Sequence, residues 1–132
     1  MNQRQEIFAY ALTQYGVSAE YLWANLPDYA VLRHPSSGGK KGKWFALIGH
    51  IEYHKLGVAR LGSSDFLNIK CRPDMAMILQ QQQGILPAYH MNKQHWLTIL
   101  LDGSVAFDEL VLLIDGSYDL TKPKKLLRKT KI

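Results

Sequence analysis

The chain has one cysteine, Cys71, in 132 residues. An intrachain disulfide and a paired-thiol zinc site are therefore excluded, and a reducing compartment fits. The first residues, Met1-Asn2-Gln3-Arg4-Gln5-Glu6, contain no apolar signal core. No apolar run approaches the roughly 20 residues that span a bilayer. The expectation is a cytoplasmic protein with no membrane partner. No internal repeat is visible, and no serine or cysteine stands at a recognisable spacing from a base, so no enzyme is read from the sequence. The stretch 122–132 lacks acids altogether while carrying Lys122, Lys124, Lys125, Arg128, Lys129 and Lys131. The remaining chain holds ten basic residues against all eleven acids. The net charge of +5 is thus a property of the tail, and the body is near neutral. A basic pI points to nucleic acid as partner, but here it does so through the tail.

What is present is ordinary globular composition, 47% apolar and 20% charged, in a chain long enough to bury its own core. We expect one domain over 1–121 and a basic, disordered tail over 122–132. Ile7, Phe8, Ala11, Leu12 and Tyr15 recur at helical spacing and predict a helix over Gln3 to Tyr15, with Asn2 and Gln5 as a capping pair and Gly16 as the stop. Glu20 to Trp23 reads as a short first strand. Tyr29 to His34 and Trp44 to Glu52 form a hairpin around the glycine- and lysine-rich loop Pro35 to Lys43. Tyr53 to Gly62 fits a turn or short helical piece. Phe66 to Cys71 alternates as a half-buried strand. Pro73 opens a helix to about Gln83, with no good cap at Arg72. A last helix from about Val105 to Leu120 buries Phe107, Leu110, Val111, Ile114 and Tyr118, and Gly116 within it suggests a close packing contact. Strands joined by short hairpins and helices at either end give an α+β fold: an antiparallel β-sheet with helices packed on one face.

The densest chemistry lies at Ile85 to Trp96. Two histidines, a tyrosine, a tryptophan, an asparagine and a lysine fall within Tyr89 to Trp96. The economical reading is a β-hairpin with Met91 to Gln94 at its tip, which places His90 and His95 nearly opposite one another. Tyr89, His90, Asn92, His95 and Trp96 then offer a recognition surface, an acid/base pair, or a purely structural cluster around a turn.

Pro87-Ala88-Tyr89-His90-Met91-Asn92-Lys93, followed by His95-Trp96, resembles the signature of the MmcQ/YjbR family of small bacterial proteins. The resemblance continues at Trp23, Pro27 to His34, Lys43 to Ala46, Asn68 to Cys71, Leu100 to Ser104 and Leu120 to Pro123. It implies a CyaY-like α-β-α fold and a double-wing, DNA-binding role. Frataxin-like proteins bind iron through an acidic first helix; this chain's first helix has one acid, Glu6, so no metal and no cofactor is expected. A histidine cluster of His50, His54, His90 and His95 is the alternative ligand set.

The nucleic-acid candidates are Lys40, Lys41 and Lys43 in the first hairpin loop, Lys93 at the second tip, and Lys122, Lys124 and Lys125 in the tail, with Lys70 and Arg72 between them. Lysines so placed position a protein on phosphates without reading sequence. Trp23, Trp44 and Trp96 either stack on bases or belong to the core and its rim. The partner expected is duplex DNA. The alternatives are a protein partner on an exposed apolar patch at Tyr89 to Trp96, or a small ligand in a concave pocket containing His90 or His95.

Overall fold

The computed structural model describes residues 1–123. Helix α1 (Gln3–Tyr15) comes first, followed by strands β1 (Ala30–Arg33), β2 (Trp44–Glu52) and β3 (Ser63–Lys70). Helix α2 (Pro73–Leu79), strands β4 (Ile85–Pro87) and β5 (Trp96–Leu100), and helix α3 (Phe107–Leu120) complete it. A single 3₁₀ turn, Tyr53–Leu56, follows β2. The sheet is antiparallel throughout, in the order β1-β2-β3-β5-β4.

One face of the sheet carries Leu32, Ala46, Ile48, Leu67, Ile69, Leu97 and Ile99, packed with Ile7 and Ala11 of α1, Ala76 of α2, and Leu110 and Ile114 of α3. All three helices cover this face, as an α+β sandwich requires. Helix α1 has the expected bounds, and its cap is reciprocal: Gln5 N–H donates to Asn2 Oδ1, and Asn2 N–H to Gln5 Oε1. Leu12, expected on its buried stripe, is 56% exposed.

The second face has no helix, yet it is not solvated. Phe66, Leu67, Asn68 and Ile69 are all buried, so β3 is not the half-buried strand its alternation suggests. The segment before β1 and the chain after β4 lie over this face. The rings of Trp23 and Trp44 meet edge to face at 5.7 Å, Tyr29 and Phe66 at 5.7 Å, and Phe66 and Tyr89 at 6.0 Å. Gly49 makes room for them: a Cβ there would stand 2.7 Å from Phe66 Cζ and 3.0 Å from a Tyr29 ring carbon. Trp23, Trp44 and Trp96 are half-buried, the core-rim alternative.

Several expected elements differ. Glu20 to Trp23 makes only an isolated bridge, Glu20 with Val31. Helix α2 stops at Leu79, and Gln80 to Gln83 continue as turns into Gly84. The buried stripe of α3 is Leu110, Ile114 and Ser117, with Phe107, Val111 and Tyr118 only half-buried. A Cβ on Gly116 would meet nothing within 4 Å, so no close contact explains that glycine. Among the described residues no helix is long and apolar enough to cross a membrane.

Candidate nucleic-acid interface and the loop cavity

Strand direction decides where the charges go. Because β1, β3 and β4 run one way and β2 and β5 the other, the β1–β2 loop, the end of β3 and the β4–β5 loop all emerge at the same end of the sheet. The C-terminus of α3 comes to that end too. His34 Nε2 lies 2.8 Å from Thr121 Oγ1 and 3.0 Å from the Tyr118 carbonyl, and Lys122 and Pro123 share a cleft of about 280 Å³ with Lys40, Lys41 and Lys43.

The cations expected at the two hairpin tips and the start of the tail are therefore brought to one edge of the molecule, with Lys70 and Arg72 between them. The acids there are paired: Glu20 with Arg33 at 2.9 Å, Asp74 with Arg72 at 2.9 Å, and Asp119 with Lys122 at 3.1 Å. Among the described residues no salt bridge engages Lys40, Lys41, Lys43 or Lys70. Glu52, Asp65 and Asp102 sit at the opposite end, on β2, β3 and the turn after β5. The near-neutral body is thus polarised along its strands.

The first tip is a tight turn. Ser37 and Lys40 exchange both backbone hydrogen bonds, at 2.9 and 3.1 Å, around Gly38 and Gly39 at φ 59° and 78°. Both central residues take positive φ, the conformation whose twist matches a hairpin and which glycine adopts without a Cβ clash. Lys40, Lys41 and Lys43 are exposed on it.

The second tip is not the tight hairpin the sequence suggests. Pairing of β4 with β5 ends at Pro87 opposite Leu97, so eight residues, 88 to 95, intervene. His90 and His95 lie on neither strand and are not cross-strand neighbours. The reason lies in Asn68 and Thr98, both fully buried on the helix-free face. Thr98 Oγ1 donates to Asn68 Oδ1 at 2.5 Å, Asn68 Nδ2 donates to the Tyr89 carbonyl at 3.0 Å, and Tyr89 N–H donates to Thr98 Oγ1 at 2.8 Å. This closed set of bonds pulls Tyr89 onto the sheet and folds the loop back. The turn is completed by Asn92, which accepts on Oδ1 from Gln94 N–H at 2.8 Å and on its carbonyl from Trp96 N–H at 2.9 Å. Lys93 Nζ donates to the Ala88 carbonyl at 2.7 Å, so this cation braces its own loop. The His95 carbonyl accepts from Cys71 N–H at 2.8 Å.

The recognition surface is divided accordingly. Tyr89 and His90 line a cavity of about 460 Å³ together with Leu26, Tyr29, His50, Lys55 and Ser63, none of these five a candidate for this surface from sequence. His90, at φ 57°, is the only non-glycine residue with positive φ among those described, and its ring tilts against Tyr89 at 4.0 Å. Asn92, His95 and Trp96 lie outside that cavity. Tyr89, Met91 and Trp96 are half-buried, while His90 and Asn92 to His95 are exposed and polar, so Tyr89 to Trp96 does not present the contiguous exposed apolar patch expected of a protein-docking surface. A larger apolar surface, Met75, Met77, Ile78, Leu112 and Leu120, lies instead on α2 and α3. His50 and His90 share that cavity, but the four histidines do not form one ligand set: His50 bonds Asp65 and Ser63, and His54 lies 3.6 Å from Glu52. Among the described residues no three His, Cys, Asp or Glu side chains gather as a metal site. Cys71 is buried, and burial pushes its thiol up. Lys124 and Lys125 lie outside the described residues.

The fold and its charged end define a small antiparallel α+β domain with two hairpin loops and a helix C-terminus presented together. The YjbR family profile matches residues 12–120, and the chain belongs to that family. It is 40% identical over 122 residues to the uncharacterized protein YyaQ of Bacillus subtilis, covering 92% of this chain and all of that one. It is also 40% identical over 53 residues to the uncharacterized protein YjbR of Escherichia coli, 39% of this chain and 45% of that one. A crystal structure of a Pseudomonas syringae protein, 38% identical, superposes with a TM-score of 0.85 over 92% of this chain and all of its own. A Deinococcus radiodurans protein at 24% identity shares the fold, with a TM-score of 0.71 over 95% of this chain and 82% of its own.

Proposed function

We propose that this protein is a DNA-binding protein that sits on duplex DNA with the basic end of its sheet. The observation that supports this most is the convergence of the β1–β2 loop, Lys70, the β4–β5 loop and Lys122 at one end of the sheet, where the acids are already paired. The centres of the two hairpin connections are three strand spacings apart, roughly 14 Å at about 4.8 Å per strand. That span is comparable to a major groove of about 12 Å, so the two tips reach phosphates on either side of it. Lysines on glycine-rich backbone supply charge without base-edge geometry, so binding is expected to be indifferent to sequence. Lys122 and Pro123 lie beside the Lys40 to Lys43 loop, so the basic stretch that includes Lys124 and Lys125 starts from this end.

Fluorescence anisotropy with a labelled 20-base-pair duplex tests the reading. The charge-reversed variant K40E/K41E/K43E is expected to lose most of the affinity. The variant K55E/R60E, reversed at the opposite end, is expected to bind as the unaltered protein does. Equal loss in both would mean that only net charge matters, and the assignment to this end would fall.

A further inference from the structure

The sheet pairing assembles a constellation that no sequence spacing reveals. His50 lies directly opposite Asp65, and Glu52 opposite Ser63, in the β2–β3 ladder. Ser63 and Asp65, two residues apart on β3, therefore project to the same side and flank the His50 imidazole. His50 Nδ1 lies 2.8 Å from Asp65 Oδ1, and His50 Nε2 lies 2.8 Å from Ser63 Oγ. Carboxylate on Nδ1 and hydroxyl on Nε2 is the arrangement in which an imidazole is held in one tautomer and accepts the serine proton. Arg4 approaches the same carboxylate oxygen at 3.8 Å. The three side chains stand on adjacent, hydrogen-bonded strands, whose register sets their spacing.

His50 and Ser63 also line the cavity of about 460 Å³ under the 88–95 loop. Its size is that of a small-molecule site. Leu26, Tyr29 and Tyr89 give it apolar and aromatic walls, and Lys55 and Glu52, 3.6 Å apart, form an ion pair in its lining. The His50 side chain is 42% exposed, so a ligand reaches the relay without any rearrangement of the protein.

From this we infer that Ser63, His50 and Asp65 form an acyl-transfer site that hydrolyses small carboxylic esters of aromatic or branched alcohols. The inference does not rest on DNA binding: the relay lies at the opposite end of the sheet, and only Tyr89 and His90 of the 88–95 loop reach its cavity. At that end Glu52, Asp65 and Asp102 offset Lys55, Arg4 and Arg60, so no excess of cations favours a phosphate ester and neutral carboxylic esters are the substrate class. Ser63 Oγ adds to the ester carbonyl carbon while its proton passes to His50 Nε2, and the carbonyl electron pair moves onto oxygen. The Lys55 ammonium, which also pairs with Glu52 at 3.6 Å, is the cation of the cavity wall available to that oxyanion. Collapse expels the alcohol oxygen, which takes the proton from His50 and leaves an acyl-Ser63 ester. Water repeats the sequence, releasing the carboxylic acid and restoring Ser63. Ser63 and His50 are the catalytic residues, and Asp65, acting through His50, is a positioning residue.

The test uses the full chain with a fluorophosphonate probe, read by intact mass and peptide mapping, and with 4-nitrophenyl butyrate as substrate. The expected result is a single adduct on Ser63, absent in Ser63→Ala and His50→Gln. Ester turnover should fall about a hundredfold in either variant. Asp65→Asn should lower kcat while KM holds, which a merely structural role would not produce. Absence of an adduct on the unaltered protein, or an adduct elsewhere with equal ester turnover in Ser63→Ala, overturns the inference. Because the unaltered protein alone decides the labelling, misfolding of a variant cannot obscure the answer.

Discussion

The Ser117 hydroxyl donates to the Phe45 carbonyl at 2.6 Å and accepts from Lys70 N–H at 2.9 Å. A helix side chain thereby completes the hydrogen bonding of two neighbouring strands. The site is needed because the β1–β2 register slips between Leu32 and Arg33, which leaves Phe45 opposite no partner on β1. Ser117 is fully buried. Replacing it with alanine strands a carbonyl and an N–H in the core, at a cost of about 2 kcal/mol. Urea unfolding of Ser117→Ala should show that loss, and Ser117→Thr should recover only part of it because the site is packed.

One residue earlier the sign reverses. Gly116 sits within α3 with open space where a Cβ would go. Alanine there should stabilise the protein by about 0.5 to 1 kcal/mol, through helix propensity and a less flexible unfolded chain. A lower midpoint for Gly116→Ala in the same urea series would show that the groove beside α2 has a requirement the packing does not reveal.

The buried Asn68–Thr98 pair holds the 88–95 loop on the sheet. Thr98→Val should cost about 2 kcal/mol, since it leaves Asn68 Oδ1 and Tyr89 N–H unpaired in a closed environment. Amide hydrogen exchange should accelerate across residues 88–95 and hardly change in β2. Uniform acceleration over the whole sheet would contradict the latch.

Acid should weaken the join between α3 and the basic loop. Burial is the main cause that holds His34 below the usual histidine range; Lys122 acts in the same direction, against the Tyr118 carbonyl and Asp119. The folded state keeps this imidazole neutral, while the unfolded chain takes up a proton near pH 6.5. Stability from this group is therefore complete above that pH and declines as pH falls below it. Asp102 acts lower on the scale. Its burial alone would raise its pKa, but the Ser104 hydroxyl and N–H, the Tyr53 hydroxyl and Arg60 together bring it below 3.8. Its contribution is present above that value and is lost only as pH falls through the folded pKa. Urea midpoints should drop between pH 7.5 and 5.5 for the unaltered protein and less for His34→Gln.

Local signals were readable and distant ones were not. Helix α1 and strand β2 follow from periodicity, the Asn2–Gln5 cap and an unbroken apolar run, all contained in a few residues. Family membership was readable from the Pro87 to Trp96 motif itself. The path of that motif was not, because Asn68, some twenty residues upstream, bends it away from a hairpin. The same holds for the His50–Ser63–Asp65 relay, which exists only through strand register, and for Asp115, which accepts from Tyr15 and, at 2.6 Å, from Tyr10. Burial and that carboxylate push Tyr10 up to about 12, and raise Tyr15 further. Lys93 was legible as a cation at a tip, but its bond to Ala88 was not.

The most direct test of the basic end is the salt dependence of duplex binding, measured on the full chain, on the chain ending at Thr121, and on Lys40→Gln/Lys41→Gln/Lys43→Gln. Each phosphate contact contributes about −0.9 to the slope of log K against log salt. The account predicts that the shortened chain still binds, with a shallower slope, and that removing the three loop lysines flattens the slope by a further 2 to 3 or so. If shortening abolishes binding and the loop variant keeps the full slope, the tail alone carries the affinity, and the sheet end has no role in DNA recognition.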